Sequence, residues 1–130
     1  MSYAKYSNLG DNAPKPVDNA TSDRFVAIIT SAQQKEDFLR NSPITVVYIY
    51  ADWCGPCKHV APKYVDMAMK YAPSGKVVFL KEDVDKDISG DVNGVPTFRV
   101  YTAGGRMVKE TVGADIAEVE SVVNSLLQRV

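Results

Sequence analysis

The chain contains two cysteines, Cys54 and Cys57, three positions apart. A bridge across so short a loop removes little chain entropy and would be a poor staple. Two cysteines also cannot build a disulfide framework. The pair therefore points to thiol chemistry. On a helix, positions i and i+3 share a face one turn apart, which brings two sulfurs within bonding distance. The apolar run Ile44–Tyr50 stops directly at Ala51-Asp52-Trp53-Cys54, and helical spacing follows. Cys54 is thus expected at a helix N-terminus, beside unpaired amides and the positive end of the dipole, both of which favour thiolate. Cys57, one turn in, is expected to be more buried and the poorer first nucleophile. This arrangement suits a two-step exchange. Cys54 attacks a disulfide and forms a mixed disulfide, and Cys57 then attacks Cys54. Pro56 fixes one dihedral in the first turn, where a missing amide is harmless. Gly55 leaves room for an incoming chain, and Trp53 offers a flat apolar surface.

Other chemistry is less well supplied. Cys54, Cys57 and His59 lack a fourth metal ligand, so no metal is expected. His59 should point elsewhere on the helix as a solvated side chain. Lys58 reads as surface charge that raises the local positive potential. Tyr48, Tyr50, Tyr64, Tyr71 and Tyr101 read as packing residues.

The surrounding elements follow from periodicity. Phe25–Ile29 reads as a short strand, and Ser31 caps a helix with Gln34 in the box position, ending near Asn41 before Pro43. Ile44–Tyr50, β-branched and aromatic on both faces, fits a central buried strand. The helix from Cys54 to Tyr71 carries Pro62, which should kink it. Val77–Leu80 is a strand. Thr97–Tyr101 and Met107–Val112 form a hairpin around Gly104-Gly105. Asp115, with Glu118 in the box position, opens a last helix whose apolar stripe runs Ile116, Val119, Val123, Leu126, Leu127 and Val130. The fold class is α/β, with a mixed sheet of about five strands and helices on both faces.

Composition narrows the partners. The chain has 130 residues, 45% hydrophobic, with a formal net charge of −1. One domain of this length can bury a core. The charge balance argues against nucleic acid, and no apolar run approaches a membrane span of about 20 residues. Met1–Asp23 is polar and aperiodic and reads as a flexible extension, leaving 24–130 as the folded domain. That extension has the pattern of neither a signal peptide nor a transit peptide, so a cytoplasmic location is expected.

Trp53-Cys54-Gly55-Pro56-Cys57-Lys58 resembles the active-site signature of the thioredoxin family. The resemblance runs from about Phe25 to Val130. It includes Ala51, Pro62, the loop Gly94-Val95-Pro96-Thr97 and the segment Val112-Gly113-Ala114. It implies the thioredoxin fold, with Pro96 cis and facing the cysteines. It also implies that Trp53, the Val95 backbone, Pro96, Gly113 and Ala114 contact substrate, the main chain adding as a strand. The implied activity is reduction of protein disulfides by a monomer without a bound cofactor, the redox-active group being the Cys54–Cys57 disulfide. The implied electron donor is a flavin-dependent NADPH reductase. The Gly-Pro dipeptide fits a reductase better than a secretory oxidant or isomerase. A non-catalytic binding subunit using the Trp53/Val95-Pro96/Gly113 groove is the alternative, since a fold alone does not fix function.

Two departures stand out. The family usually carries a buried aspartate six residues before the first cysteine, where this chain has Tyr48, although the partner lysine is retained as Lys81. A protonated tyrosine is a weak base at neutral pH. Resolution by Cys57 is therefore expected to be slower, or to rely on solvent or another carboxylate, unless Tyr48 only fills core space. The segment Lys86–Asn93 is also several residues shorter than the family's helical connection, which should reduce that helix to a turn.

Overall fold

A computed structural model describes residues 24–130. The extension expected over residues 1–23 lies outside the described residues. The chain forms β1 (Val26–Ile28), α1 (Ala32–Asn41), β2 (Ile44–Tyr50), α2 (Gly55–Tyr71), β3 (Val77–Asp83), β4 (Thr97–Thr102), β5 (Arg106–Val112) and α3 (Ile116–Leu127). Single 3-10 turns follow α2 (Ala72–Ser74) and β3 (Val84–Lys86). The five strands lie in the order β1-β3-β2-β4-β5. β3 runs parallel to both β1 and β2, and the hairpin β4–β5 adds antiparallel to β2. The mixed five-stranded sheet expected from the sequence is therefore present.

The local signals act as their chemistry requires. Ser31 accepts the Gln34 amide at 3.1 Å, and the Gln34 side chain returns to the Thr30 amide at 2.8 Å. Asp115 likewise accepts the Glu118 amide at 3.2 Å. The Ser31 and Asp115 bonds each satisfy one of the amides that a helix start leaves unpaired, and the Gln34 bond holds the residue before the cap. Gly104 and Gly105 both take left-handed φ values, 82° and 83°, to turn the hairpin.

β2 is buried on both faces up to Tyr50. Alternation along the strand sends Ile44, Val46 and Tyr48 to one face and Val47 and Ile49 to the other. The first set packs with Tyr64, Phe79, Phe98, Val119 and Val123 under α2 and α3. The second packs with Phe38, Leu39 and Leu80 under α1. Val130, expected on the apolar stripe of the last helix, lies beyond α3 and is 51% exposed, because the helix stops at Leu127. The connection over residues 87–95 contains no helix, as its length predicts. Val84, Val92 and Val95 cover the sheet there.

Candidate active site

The end of β2 delivers the chain into α2 through Ala51, which is buried. Cys54 is the N-cap of α2, and its sulfur accepts the Cys57 amide at 3.1 Å. Pro56 occupies the first turn, and α2 continues through Pro62. Cys54 and Cys57 form a disulfide with their Cα atoms 5.2 Å apart. The expected contrast in burial is small, at 4% exposure for Cys54 and 2% for Cys57. What separates the two sulfurs is their place on the helix: Cys54 sits where an amide points at it.

The Val95–Pro96 peptide bond is cis. Val95 packs against the cluster of Ala51, Cys54 and Cys57, so the loop does face the cysteines. The Pro96 carbonyl accepts the Gly113 amide at 2.7 Å. Gly113 has φ 114°, a value that side-chain-bearing residues rarely adopt. This bond brings Val112-Gly113-Ala114 beside the proline loop. A Cβ on Gly55 would meet nothing within 4 Å, so the position next to Cys54 faces open space. Trp53 is 69% exposed, and its indole N–H donates to Asp85 Oδ2 at 3.0 Å. A cleft of about 500 Å³ is lined by Trp53, Val84, Asp85 and the residues Val92 to Val95.

On the other side of Cys57 a smaller cleft, about 140 Å³, is lined by Tyr48, Asp52, Cys57, Lys58 and Lys81 among others. Tyr48 and Lys81 are register partners on β2 and β3. The Lys81 ammonium lies 5.6 Å from the centre of the Tyr50 ring. Tyr48 is buried, stacks on Phe98 at 5.1 Å, and donates its hydroxyl to the Cys57 carbonyl at 2.9 Å. Burial, with the neighbouring Tyr50 adding to it, pushes the Tyr48 phenol far above its usual value. Tyr48 therefore both fills core space and ties β2 to the first turn of α2. His59 and Lys58 are exposed on α2, as expected. Among the described residues no group of three or more His, Cys, Asp or Glu is placed to hold a metal.

The family model for thioredoxin matches residues 25–126. The chain belongs to the thioredoxin family. Thioredoxin 1 of Plasmodium falciparum is 31% identical over 103 residues, 76% of this chain and 95% of that protein. Thioredoxin H9 of Arabidopsis thaliana is 33% identical over 113 residues, 81% of this chain and 78% of the relative. The crystal structure of Schistosoma mansoni thioredoxin superposes with TM-score 0.67 at 31% identity, covering 77% of this chain and 94% of that one. This thioredoxin-family chain is a thiol-disulfide oxidoreductase whose redox element is the Cys54–Cys57 disulfide. Thioredoxins generally act on disulfide substrates and are reduced by partners of the thioredoxin reductase type.

Several residues near this site carry no local sequence signal of their role. Asp85 holds Trp53 across 32 positions of chain. Glu82 and Arg99 are only 1% and 5% exposed, yet both are charged. For these two only burial is signalled, by phase. Glu82 falls in step with Val78 and Leu80, and Arg99 with Tyr101, on the face that packs under α1.

Proposed function

We propose that this chain reduces protein disulfides, with Cys54 as the attacking thiolate and Cys57 as the resolving thiol. The Cys57 amide aimed at the Cys54 sulfur carries this reading. An N–H donor at a helix N-terminus stabilises negative charge on that sulfur, and none is required at a spectator thiol. In the first step the Cys54 thiolate attacks one substrate sulfur. The substrate S–S bond breaks, its other sulfur leaves as thiolate and takes a proton, and a Cys54–substrate disulfide forms. In the second step Cys57 loses its proton and attacks Cys54. The Cys54–Cys57 bond forms and the second substrate thiol departs. The substrate gains two electrons and the enzyme dithiol loses them. A two-electron donor, by resemblance a flavin-dependent NADPH reductase, restores the dithiol.

Val95, Pro96, Gly113, Ala114 and Trp53 form the substrate surface in this reading, and an extended segment adds its main chain beside Val95. Gly55 and Pro56 leave the approach to Cys54 open. Lys58 and Lys81 supply positive potential around Cys57. The chain acts as a monomer in a reducing compartment, the cytoplasm, where the dithiol is kept ready. A binding role alone would need neither thiol.

The test is dithiothreitol-driven insulin reduction beside a Cys54→Ser variant. The wild type accelerates precipitation of the insulin B chain and the variant does not. Equal rates would overturn the assignment.

A further inference from the structure

The substrate loop ends at Val95–Pro96, and the connection before it has no helix to hold it. Two charged side chains rise from the sheet beneath it. Glu82 on β3 accepts the Ser89 amide at 3.0 Å through Oε2 and faces the Lys35 ammonium at 3.5 Å through Oε1. Lys35 also donates to the Ser89 hydroxyl at 2.6 Å. Arg99 on β4 donates to the Asp91 carboxylate at 3.1 Å, to the Asp91 carbonyl at 3.2 Å and to Glu110 at 2.9 Å. The strand pairing explains the layout. Ile49 on β2 is the register partner of Glu82, and Val47 that of Arg99, so the two anchors flank the central strand on one face. Only Val92, Asn93 and Gly94 separate Asp91, the residue that Arg99 holds, from Val95. These same residues line the cleft beside Trp53.

We propose that Arg99 and Glu82 are positioning residues for protein substrates, fixing the loop 87–95, and with it the Val95 backbone, in place of a connecting helix. The proposal rests on the reading of Val95–Pro96 as the substrate surface. What the charged anchors add is specificity of position. Apolar residues at these sites would cover the sheet equally well, and replacing a buried ion pair by apolar groups often leaves stability unchanged. An apolar cover, however, does not dictate where a loop's backbone lies. A planar guanidinium that grips both the side chain and the carbonyl of Asp91 does. Losing that grip should matter for a polypeptide that must align along Val95. A small disulfide that meets only the sulfur should not sense it.

The experiment uses the full chain, pre-reduced, as wild type, Arg99→Met and Asp91→Ala. Removing Arg99 leaves Asp91 and Glu110 reachable by solvent, and the Asp91 side chain is 76% exposed, so the latter variant tests the proposal even if Arg99→Met does not fold. Three quantities are read: kcat and KM for insulin with dithiothreitol as the recycling reductant, the single-turnover rate with 5,5′-dithiobis(2-nitrobenzoate), and hydrogen exchange of the amides in residues 87–95, where Glu82 accepts the Ser89 amide. The expected result is faster exchange in 87–95 and a fall of about tenfold in kcat/KM for insulin, carried by KM. The aromatic disulfide rate stays within about twofold, and Asp91→Ala changes in the same direction by less. Unchanged exchange in both variants overturns the positioning role. Faster exchange with unchanged insulin kinetics instead overturns the reading of the loop as substrate surface. An equal loss on both substrates overturns the proposal too, because it marks damage to the thiols rather than to the platform.

Discussion

Replacing Tyr48 separates its two jobs. Tyr48→Phe keeps the ring stacked on Phe98 and against Tyr64, 4.9 Å away, and deletes only the hydroxyl that donates to the Cys57 carbonyl. A buried neutral hydrogen bond is worth about 0.5–1.5 kcal/mol net. For a domain of this size, about 1 kcal/mol moves the thermal midpoint by about 4–8 °C. Tyr48→Asp removes the ring as well. Emptying an aromatic site costs about 3–5 kcal/mol, so the total approaches about 4–6 kcal/mol against a typical stability of about 5–15 kcal/mol. That variant should fold, but marginally, and its kinetics belong in a stabilising osmolyte. The catalytic expectation runs the other way. The raised phenol of Tyr48 stays protonated and cannot take the Cys57 proton near neutrality. Resolution in the wild type should then rise with the thiolate fraction of Cys57 alone. A carboxylate at this position would face the same cleft as Cys57 and Lys81 and could accept that proton. The aromatic disulfide releases one coloured thiolate when Cys54 attacks and a second when Cys57 resolves, so the second phase times the step directly. Tyr48→Asp should speed the second phase between about pH 6 and 8, and Tyr48→Phe should leave it near wild type. Identical second phases in all three proteins would refute a role for this position in proton transfer.

Lys35→Met strands the buried Glu82 carboxylate, so it should lose about 3–5 kcal/mol in urea unfolding; adding Glu82→Leu should recover most of it, and a single variant as stable as wild type would contradict the anchor. Gly113→Ala should lose about 1–3 kcal/mol through its φ of 114° alone, since a Cβ there meets nothing within 4 Å; a neutral result in thermal melts would contradict this. Hydrogen bonds from Thr111 and Lys109 lower the Glu118 carboxyl, and those from Lys70 and Tyr71 lower Glu120. A lowered carboxyl contributes stability above its unfolded value, about 4.3, and that contribution is lost as pH falls through the folded value. Glu118→Gln/Glu120→Gln should therefore show a flatter acid limb in urea midpoints below about pH 5, and an unchanged limb would count against these bonds.

The residues show why most of the fold could be read in advance. Ser31 with Gln34 and Asp115 with Glu118 are local pairs, and a cap needs only its own first turn to form. Ile44–Tyr50 was legible as a central strand because burial on both faces leaves no polar alternation. Cys54 and Cys57 were legible because helical spacing alone brings them together. The anchors were not. Arg99 reaches Glu110 across the hairpin and Asp91 across a loop, and Lys35 meets Glu82 from 47 positions away. Charges in a strand read as solvent-facing until the fold supplies their partners. The Trp53–Asp85 bond was hidden for the same reason. Tyr48 stands out in the sequence as a departure, but its hydrogen bond to the Cys57 carbonyl depends on how α2 docks on β2, which no local pattern encodes.

The division of labour between the cysteines is tested most directly by trapping. Reduced Cys57→Ser and Cys54→Ser proteins are mixed with insulin, quenched with acid and analysed by intact mass and peptide mapping. Cys57→Ser should accumulate an adduct at Cys54 that persists, because nothing resolves it. Cys54→Ser should form little or none, since its remaining sulfur lies one turn inside α2 without the capping amide. An adduct on Cys57 that forms as fast as the one on Cys54 would contradict the account.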